Sequence, residues 1–132
     1  MIGIVGQGFV GNAIFQKFKK FYDIKTYDLD ESKANSSKEE TLSCDIVFVC
    51  LPTPMSTDGD CHTGIVESAI EDINNYGKCK IAVIKSTVTP GTADRLNKQY
   101  KNLHVAFNPE FLTERNAVED FFNNWEENKL YV

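Results

Sequence analysis

Basic residues are in short supply: 14 lysines and arginines face 19 aspartates and glutamates, a formal charge of −5 over 132 residues. No basic stripe is therefore available to neutralise the phosphates of a nucleic acid or an anionic membrane surface. The densest basic run, Lys17, Lys19 and Lys20, sits between apolar residues at helical spacing and reads as a solvated helix face. Long apolar runs are missing as well, since none approaches the roughly 20 residues of a membrane span. No basic leader precedes the first apolar run, so a signal peptide is not expected. Cys44, Cys50, Cys61 and Cys79 form no CxxC pair and have no histidine pair to go with them. That argues for reduced, structural thiols, no metal site and a cytoplasmic chain. Repeats, linkers and low-complexity tracts are also absent, and 1–132 reads as a single domain with a real core.

What is present is an alternation of short apolar runs and amphipathic stretches. Residues 1–5 form an apolar run that stops at glycine and reads as a buried strand. Val10, Ile14, Phe18 and Phe21 then recur at helical spacing. A second strand is expected over 23–27, ending at Asp28, and the polar stretch 31–41 is a short helix or a loop. The clearest buried strand is 45–51, halted by Pro52 and Pro54. Residues 63–76 carry Ile65, Ala69, Ile70 and Ile73 on one helical stripe. Strand returns at 80–84, Pro90-Gly91 opens another helix, and 103–107 is a fifth strand. An amphipathic helix through Phe122 and a sixth strand from Lys129 complete the pattern. Such alternation predicts an α/β fold, a Rossmann-type doubly wound parallel sheet with helices on both faces.

Gly6-Gln7-Gly8-Phe9-Val10-Gly11 lies between the first strand and the first helix. In a G-x-G-x-x-G turn, Gly6 permits the tight turn, Gly8 lets the backbone approach a pyrophosphate, and Gly11 lets helix and strand pack closely. The helix N-terminus adds amide donors and a favourable dipole. Asp28 follows at the end of the second strand, where its carboxylate can accept both hydroxyls of an adenosine ribose and would repel a 2′-phosphate. The structural alternative for Asp28 is a strand-end residue capping a turn. Taken together, placement and acid predict a dinucleotide site, with NAD favoured over NADP by charge.

Ligands of such sheets bind outside the carboxyl ends of the strands. Here those ends read Leu51-Pro52-Thr53-Pro54, Lys85-Ser86-Thr87-Val88-Thr89-Pro90-Gly91-Thr92 and Phe107-Asn108-Pro109-Glu110-Phe111-Leu112-Thr113-Glu114. Each sets a hydroxyl or carboxylate beside proline, which stiffens the loop. Ser86 and Thr89 also read as ordinary turn or cap residues. Glu110 and Glu114 share a helix face one turn apart, and they suit either a helix dipole or the relay of a proton.

The glycine loop, the D-x-D-x-x-K segment 28–33, Pro52-Thr53-Pro54, Ser86-Thr87 with Pro90-Gly91-Thr92, and Asn108-Pro109-Glu110-Phe111-Leu112 with Glu114 together resemble the UDP-glucose/GDP-mannose dehydrogenase family. Ala117-Val118 and Asp120-Phe121 extend the resemblance across nearly the whole chain. It implies that the Phe9 and Val10 amides face the pyrophosphate, and that Asp28 and Lys33 surround the adenosine. It also implies that Thr53, Thr87 and Glu114 line the cofactor cleft, while Phe111, Leu112 and Thr113 lie along a nucleotide sugar. Thr87, Glu110 and Glu114 are its implied catalytic residues, Thr87 and Glu114 being associated with the hydrolytic water. Phe111-Leu112 favours glucose or mannose over N-acetylated sugars, with UDP-glucose, oxidised at C6 to UDP-glucuronate by two hydride transfers, the favoured substrate.

The sequence departs from the family pattern at Thr113 and His62, and its 30–43 connection is short. The family's nucleophilic cysteine, with lysine, asparagine and aspartate partners, belongs to a second half, through which a homodimer would form. None of the four cysteines here has that glycine-rich context, so activity is not expected from these residues alone. Two other readings use the same glycine loop: a non-enzymatic NAD-sensing module and a small hydroxy-acid dehydrogenase. Neither has a reason to carry Thr87 or the Glu110/Glu114 pair.

Overall fold

A computed structural model describes residues 1–51, 64–86, 88 and 91–108. Five strands are laid down in chain order: β1 (Ile2–Val5), β2 (Ile24–Tyr27), β3 (Ile46–Val49), β4 (Ile81–Ile84) and β5 (His104–Phe107). They form one sheet in the order β2-β1-β3-β4-β5, and every pairing is parallel. Between them run α1 (Phe9–Phe18), a 3₁₀ turn (Glu31–Lys33), α2 (Lys38–Leu42), α3 (Gly64–Tyr76) and α4 (Thr92–Gln99). Each strand starts or ends within two residues of the expected limits.

The strand order explains which helix covers which face. The step from β1 to β2 runs one way across the sheet, and the steps from β3 to β4 to β5 run the other. Right-handed crossovers in opposite directions must place their helices on opposite faces. Accordingly, Ala13 and Ile14 of α1 pack on Ile2, Ile4, Ile24 and Phe48. Leu42 of α2, the buried face of α3 and Leu96 of α4 pack on Val47, Val49, Ala82 and Ile84 from the other side. β1 is buried on both faces, which is why it reads as an unbroken apolar run, whereas β2 at the edge alternates. The direction of winding reverses between β1 and β3, so a crevice is expected at their carboxyl ends.

Four local expectations are corrected. Phe21 is not on the α1 stripe; the helix stops at Phe18, and Phe21 lies in the following turn, 74% exposed. On α3 the buried stripe is Val66, Ala69, Ile70 and Ile73, and Ile65 is exposed. Residues 66, 69, 70 and 73 follow the i, i+3, i+4, i+7 rule, and Ile65 lies about 100° away from Val66. Gly91 opens α4 as its N-cap and not from within the first turn, since the helix begins at Thr92, and Pro90 lies outside the described residues. Ser86 is no helix cap; its hydroxyl donates to the Leu51 carbonyl at 2.6 Å. The expected helix through Phe122 and the sixth strand fall outside the described residues.

Candidate dinucleotide site

The turn after β1 holds Gly6 at φ 93°, a conformation that side chains rarely tolerate. A Cβ there would also stand 2.6 Å from the Cys50 carbonyl oxygen. Gly11 is demanded by close approach, since a Cβ on it would fall 1.9 Å from the Gly6 oxygen. Gly8 differs from both. It has an extended backbone, and a Cβ placed on it meets nothing within 4 Å. The described residues thus give no packing reason for glycine there, whereas close approach of a ligand would.

Gly8 is the N-cap of α1 and offers no side-chain cap, and no acidic residue occupies the first turn. The first intrahelical bond runs from the Asn12 amide to the Gly8 carbonyl, so the amides before it point outward from the helix end. Beside them, Gln7 Nε2 is buried without a hydrogen-bond partner within the described residues. Turn, open glycine, outward amides and an unanswered amide group fit the pyrophosphate of a dinucleotide.

Asp28 stands at the end of β2 with both carboxylate oxygens engaged. Oδ2 accepts the Gln7 amide at 2.7 Å, and Oδ1 accepts the Asp30 amide at 2.8 Å. The carboxylate is therefore fixed against the glycine turn while also shaping the bend after β2. Each oxygen keeps a second lone pair for a ribose hydroxyl. Next to it, Asp30 accepts from the Ser32 amide and hydroxyl. Those two bonds, with Lys33 nearby, hold the Asp30 carboxyl below the usual carboxylate range. Lys33 ends this 3₁₀ turn, exposed, three residues beyond Asp30.

A cavity of about 460 Å³ opens next to this acidic corner, with Val5, Tyr27, Leu42, Leu51 and Ala69 among its lining. Leu29, 89% exposed, and Ile65, 42% exposed, stand on its sides. Two exposed aliphatic side chains flanking an apolar hollow suit a flat aromatic base. The Lys38–Asp72 ion pair, 2.8 Å long, closes its rim and ties α2 to α3. Two slightly larger hollows, about 520 and 580 Å³, lie around Cys44 with Asp45 and around Tyr100 with His104. Both are at the amino ends of strands, the wrong edge for a ligand of this sheet.

At the carboxyl edge the ends of β3, β4 and β5 are joined by side chains. The Ser86 hydroxyl reaches Leu51 and, at 3.3 Å, Val49, and Lys85 Nζ donates to Asn108 Oδ1. Of the six buried polar residues described, Lys85, Ser86, Thr92 and Asn108 all belong to this end of the sheet. Thr53, Thr87, Glu110, Phe111, Leu112, Thr113 and Glu114 lie outside the described residues. Their described chain neighbours Leu51, Ser86 and Asn108 are at the same edge. Lys85, Asn108 and Gln7 were not singled out from sequence. A lysine directly after an apolar strand was the available signal for the first of them.

Cys44 and Cys79 lie at the amino ends of β3 and β4, away from this edge. Burial pushes Cys44 up and Cys79 up to about 11, and no disulfide joins Cys44, Cys50 and Cys79 to one another.

A sequence model of the UDP-glucose/GDP-mannose dehydrogenase family, NAD binding domain, matches residues 24–126. The chain belongs to the UDP-glucose/GDP-mannose dehydrogenase family. NAD is the cofactor of the matched domain, and its residues as described above fit that ligand. This dehydrogenase domain is 32% identical to an uncharacterised protein of Methanocaldococcus jannaschii, over 92% of this chain and 18% of that protein. It is 37% identical to a putative UDP-glucose 6-dehydrogenase of Bacillus subtilis, over 70% of this chain and 23% of the relative. The solved UDP-glucose dehydrogenase of Pyrobaculum islandicum superimposes with a TM-score of 0.77 at 26% identity, covering 92% of this chain and 38% of that one. The dehydrogenase domain thus spans less than two fifths of the length of these relatives. The first alignment runs over 157 positions against a chain of 132 residues, so the relative carries insertions that this chain lacks. Among the described residues no helix is long and apolar enough to cross a membrane.

Proposed function

We propose that residues 1–132 form the NAD-binding domain of a nucleotide-sugar dehydrogenase that oxidises the C6 alcohol of UDP-glucose to the acid, giving UDP-glucuronate. The observation that carries the cofactor half of this reading is Asp28. Its carboxylate is fixed by two backbone amides at the mouth of the glycine turn, beside a base-sized apolar cavity. In this reading Gly6, Gly8, Gly11 and the Phe9 and Val10 amides take the pyrophosphate, and Asp28 with Lys33 takes the adenosine. Thr53, Thr87 and Glu114 continue the cleft toward the nicotinamide. When bound, NAD⁺ would supply the hydride acceptor, one molecule for each of the two hydrides removed at C6.

The residues of the chain itself position and exchange protons. Glu110 and Glu114, at helical spacing, supply carboxylates that relay protons and hold water, and Thr87 orients that water. Phe111, Leu112 and Thr113 lie along the sugar nucleotide, and an unacetylated hexose suits the bulk of Phe111-Leu112. The nucleophilic cysteine, and any homodimer contact, belong to a second half of the enzyme.

Calorimetric titration tests the cofactor assignment. NAD⁺ should bind at least about tenfold more tightly than NADP⁺, because an added 2′-phosphate meets the fixed Asp28 carboxylate. Asp28→Ala should weaken NAD⁺ and narrow that preference. Equal affinities in the unmodified chain would remove Asp28 from the site.

A further inference from the structure

The register of the sheet makes Lys85 and Asn108 direct neighbours. Ile84 pairs with Phe107 as the last rung of β4 and β5, and the ladder goes one step further through the Asn108 amide to the Ile84 carbonyl. Lys85 and Asn108 therefore form the next rung. By strand alternation they continue the rows of Val83 and Ala106, on the face that α1 covers. Both are almost fully buried, at 4% and 5% exposure, and the lysine ammonium donates to the asparagine carbonyl oxygen.

A buried ammonium is expensive, and apolar residues fill this rung of a strand more cheaply unless the charge has a use. Its position suggests the use. Lys85 precedes Thr87 by two residues, and Asn108 precedes Glu110 by two. The bond thus ties the roots of the two loops that carry the proposed reacting end of the site. Ser86, bonded to Leu51, ties the same edge to the root of the Thr53 loop. The adenosine corner, by contrast, is built on β1, β2, α2 and α3; Leu51 at its side takes the Ser86 bond, and the Lys85–Asn108 bond lies away from its lining.

We infer that Lys85 and Asn108 are a positioning pair for the nicotinamide end of the cofactor cleft, setting the β4 and β5 loops against each other without touching the adenosine end. The inference rests on the dinucleotide reading above, and the test separates the two. NAD⁺ and ADP-ribose, which lacks the nicotinamide, are titrated against the unmodified chain and against Lys85→Met, Asn108→Ala and the double variant. Folding is checked by circular dichroism, and titrations are run well below each melting temperature.

Each single variant should bind NAD⁺ about tenfold more weakly, the scale of one charge-assisted hydrogen bond, while ADP-ribose affinity stays within about twofold. The double variant should be no worse than the singles, because the pair acts as one unit. Asn108→Asp, which keeps the acceptor oxygen, should retain NAD⁺ affinity. A merely structural pair would lower both affinities together or neither. Either result overturns the inference, as would additive losses in the double variant. Should Lys85→Met not fold, the contrast between Asn108→Ala and Asn108→Asp decides alone. Failure of the unmodified chain to bind either ligand would instead overturn the dinucleotide reading.

Discussion

Two glycines three residues apart in the same loop, Gly8 and Gly11, separate ligand binding from folding. A Cβ on Gly11 would collide with the Gly6 backbone oxygen, and neither partner is a flexible side-chain end. Gly11→Ala should therefore destabilise the domain by about 1–3 kcal/mol or more, seen as a lower urea midpoint. Gly8→Ala places its methyl on an extended backbone with no described atom within 4 Å. Its stability should stay within about 1 kcal/mol, in the stabilising direction, through the loss of unfolded-state freedom. NAD⁺ affinity should nonetheless fall by about tenfold or more, because the methyl occupies the approach of the pyrophosphate. Unchanged affinity in Gly8→Ala would move the phosphates elsewhere. Asp28 shows the same economy at one residue, for it caps the bend after β2 and fixes the acid at the site with the same carboxylate. The turn-capping reading of Asp28 is thus observed, and the ribose-binding one is the proposal that the NAD⁺ titration tests.

At the scale of elements, the two outer strands among those described are each closed by an asparagine. Asn35 Oδ1 accepts the Thr26 amide at 2.8 Å, and its Nδ2 donates to the Ile24 carbonyl at 3.2 Å. On β5, Asn97 Oδ1 accepts the Val105 amide at 2.7 Å, and Nδ2 returns a bond of 2.8 Å to the Val105 carbonyl. Each amide side chain imitates a residue of one more strand. Asn35→Ala and Asn97→Ala should each cost about 2 kcal/mol, two edge hydrogen bonds, measurable by denaturant unfolding. Both should also associate more readily in light scattering, since a bare edge is a template for pairing. Sequence patterning could not show these closures, because an asparagine in a polar stretch looks like any loop residue until the strand beside it is placed. The strands themselves were legible from apolar runs ended by glycine, proline or acid. The phase of α3 was less so: Ile65 and Val66 are adjacent apolar residues, and only the packed face tells which one points inward. Lys85 and Asn108, 23 residues apart, meet only once β4 and β5 are in register.

Over the whole molecule, doubly wound order brings the glycine turn, Asp28 and three strand ends to one edge of a sheet, and it leaves the opposite edge to turns and charges. The described residues at that edge form one side of a cofactor cleft. Turnover needs a second wall to exclude water and align the sugar, together with a nucleophile. These 132 residues alone should therefore bind NAD⁺ and form no NADH with UDP-glucose or GDP-mannose, followed by absorbance. Joined to a family-type second half they should yield two NADH per acid. In that joined enzyme, Thr87 and Glu114 substitutions should slow turnover more than they weaken NAD⁺. Robust oxidation by the short chain would falsify the split of the active site.

Cys44 and Cys79, set into the core below α2 and α3 at 3% and 6% exposure, give the molecule a built-in clock. Reaction with an alkylating reagent needs a solvated thiolate, which neither residue offers while the sheet is closed. Modification of these two must wait for the domain to open, and their labelling rate counts those openings. Peptide mapping after timed exposure would separate them from the half-buried Cys50. NAD⁺, by holding the folded form, should slow the clock in proportion to its occupancy.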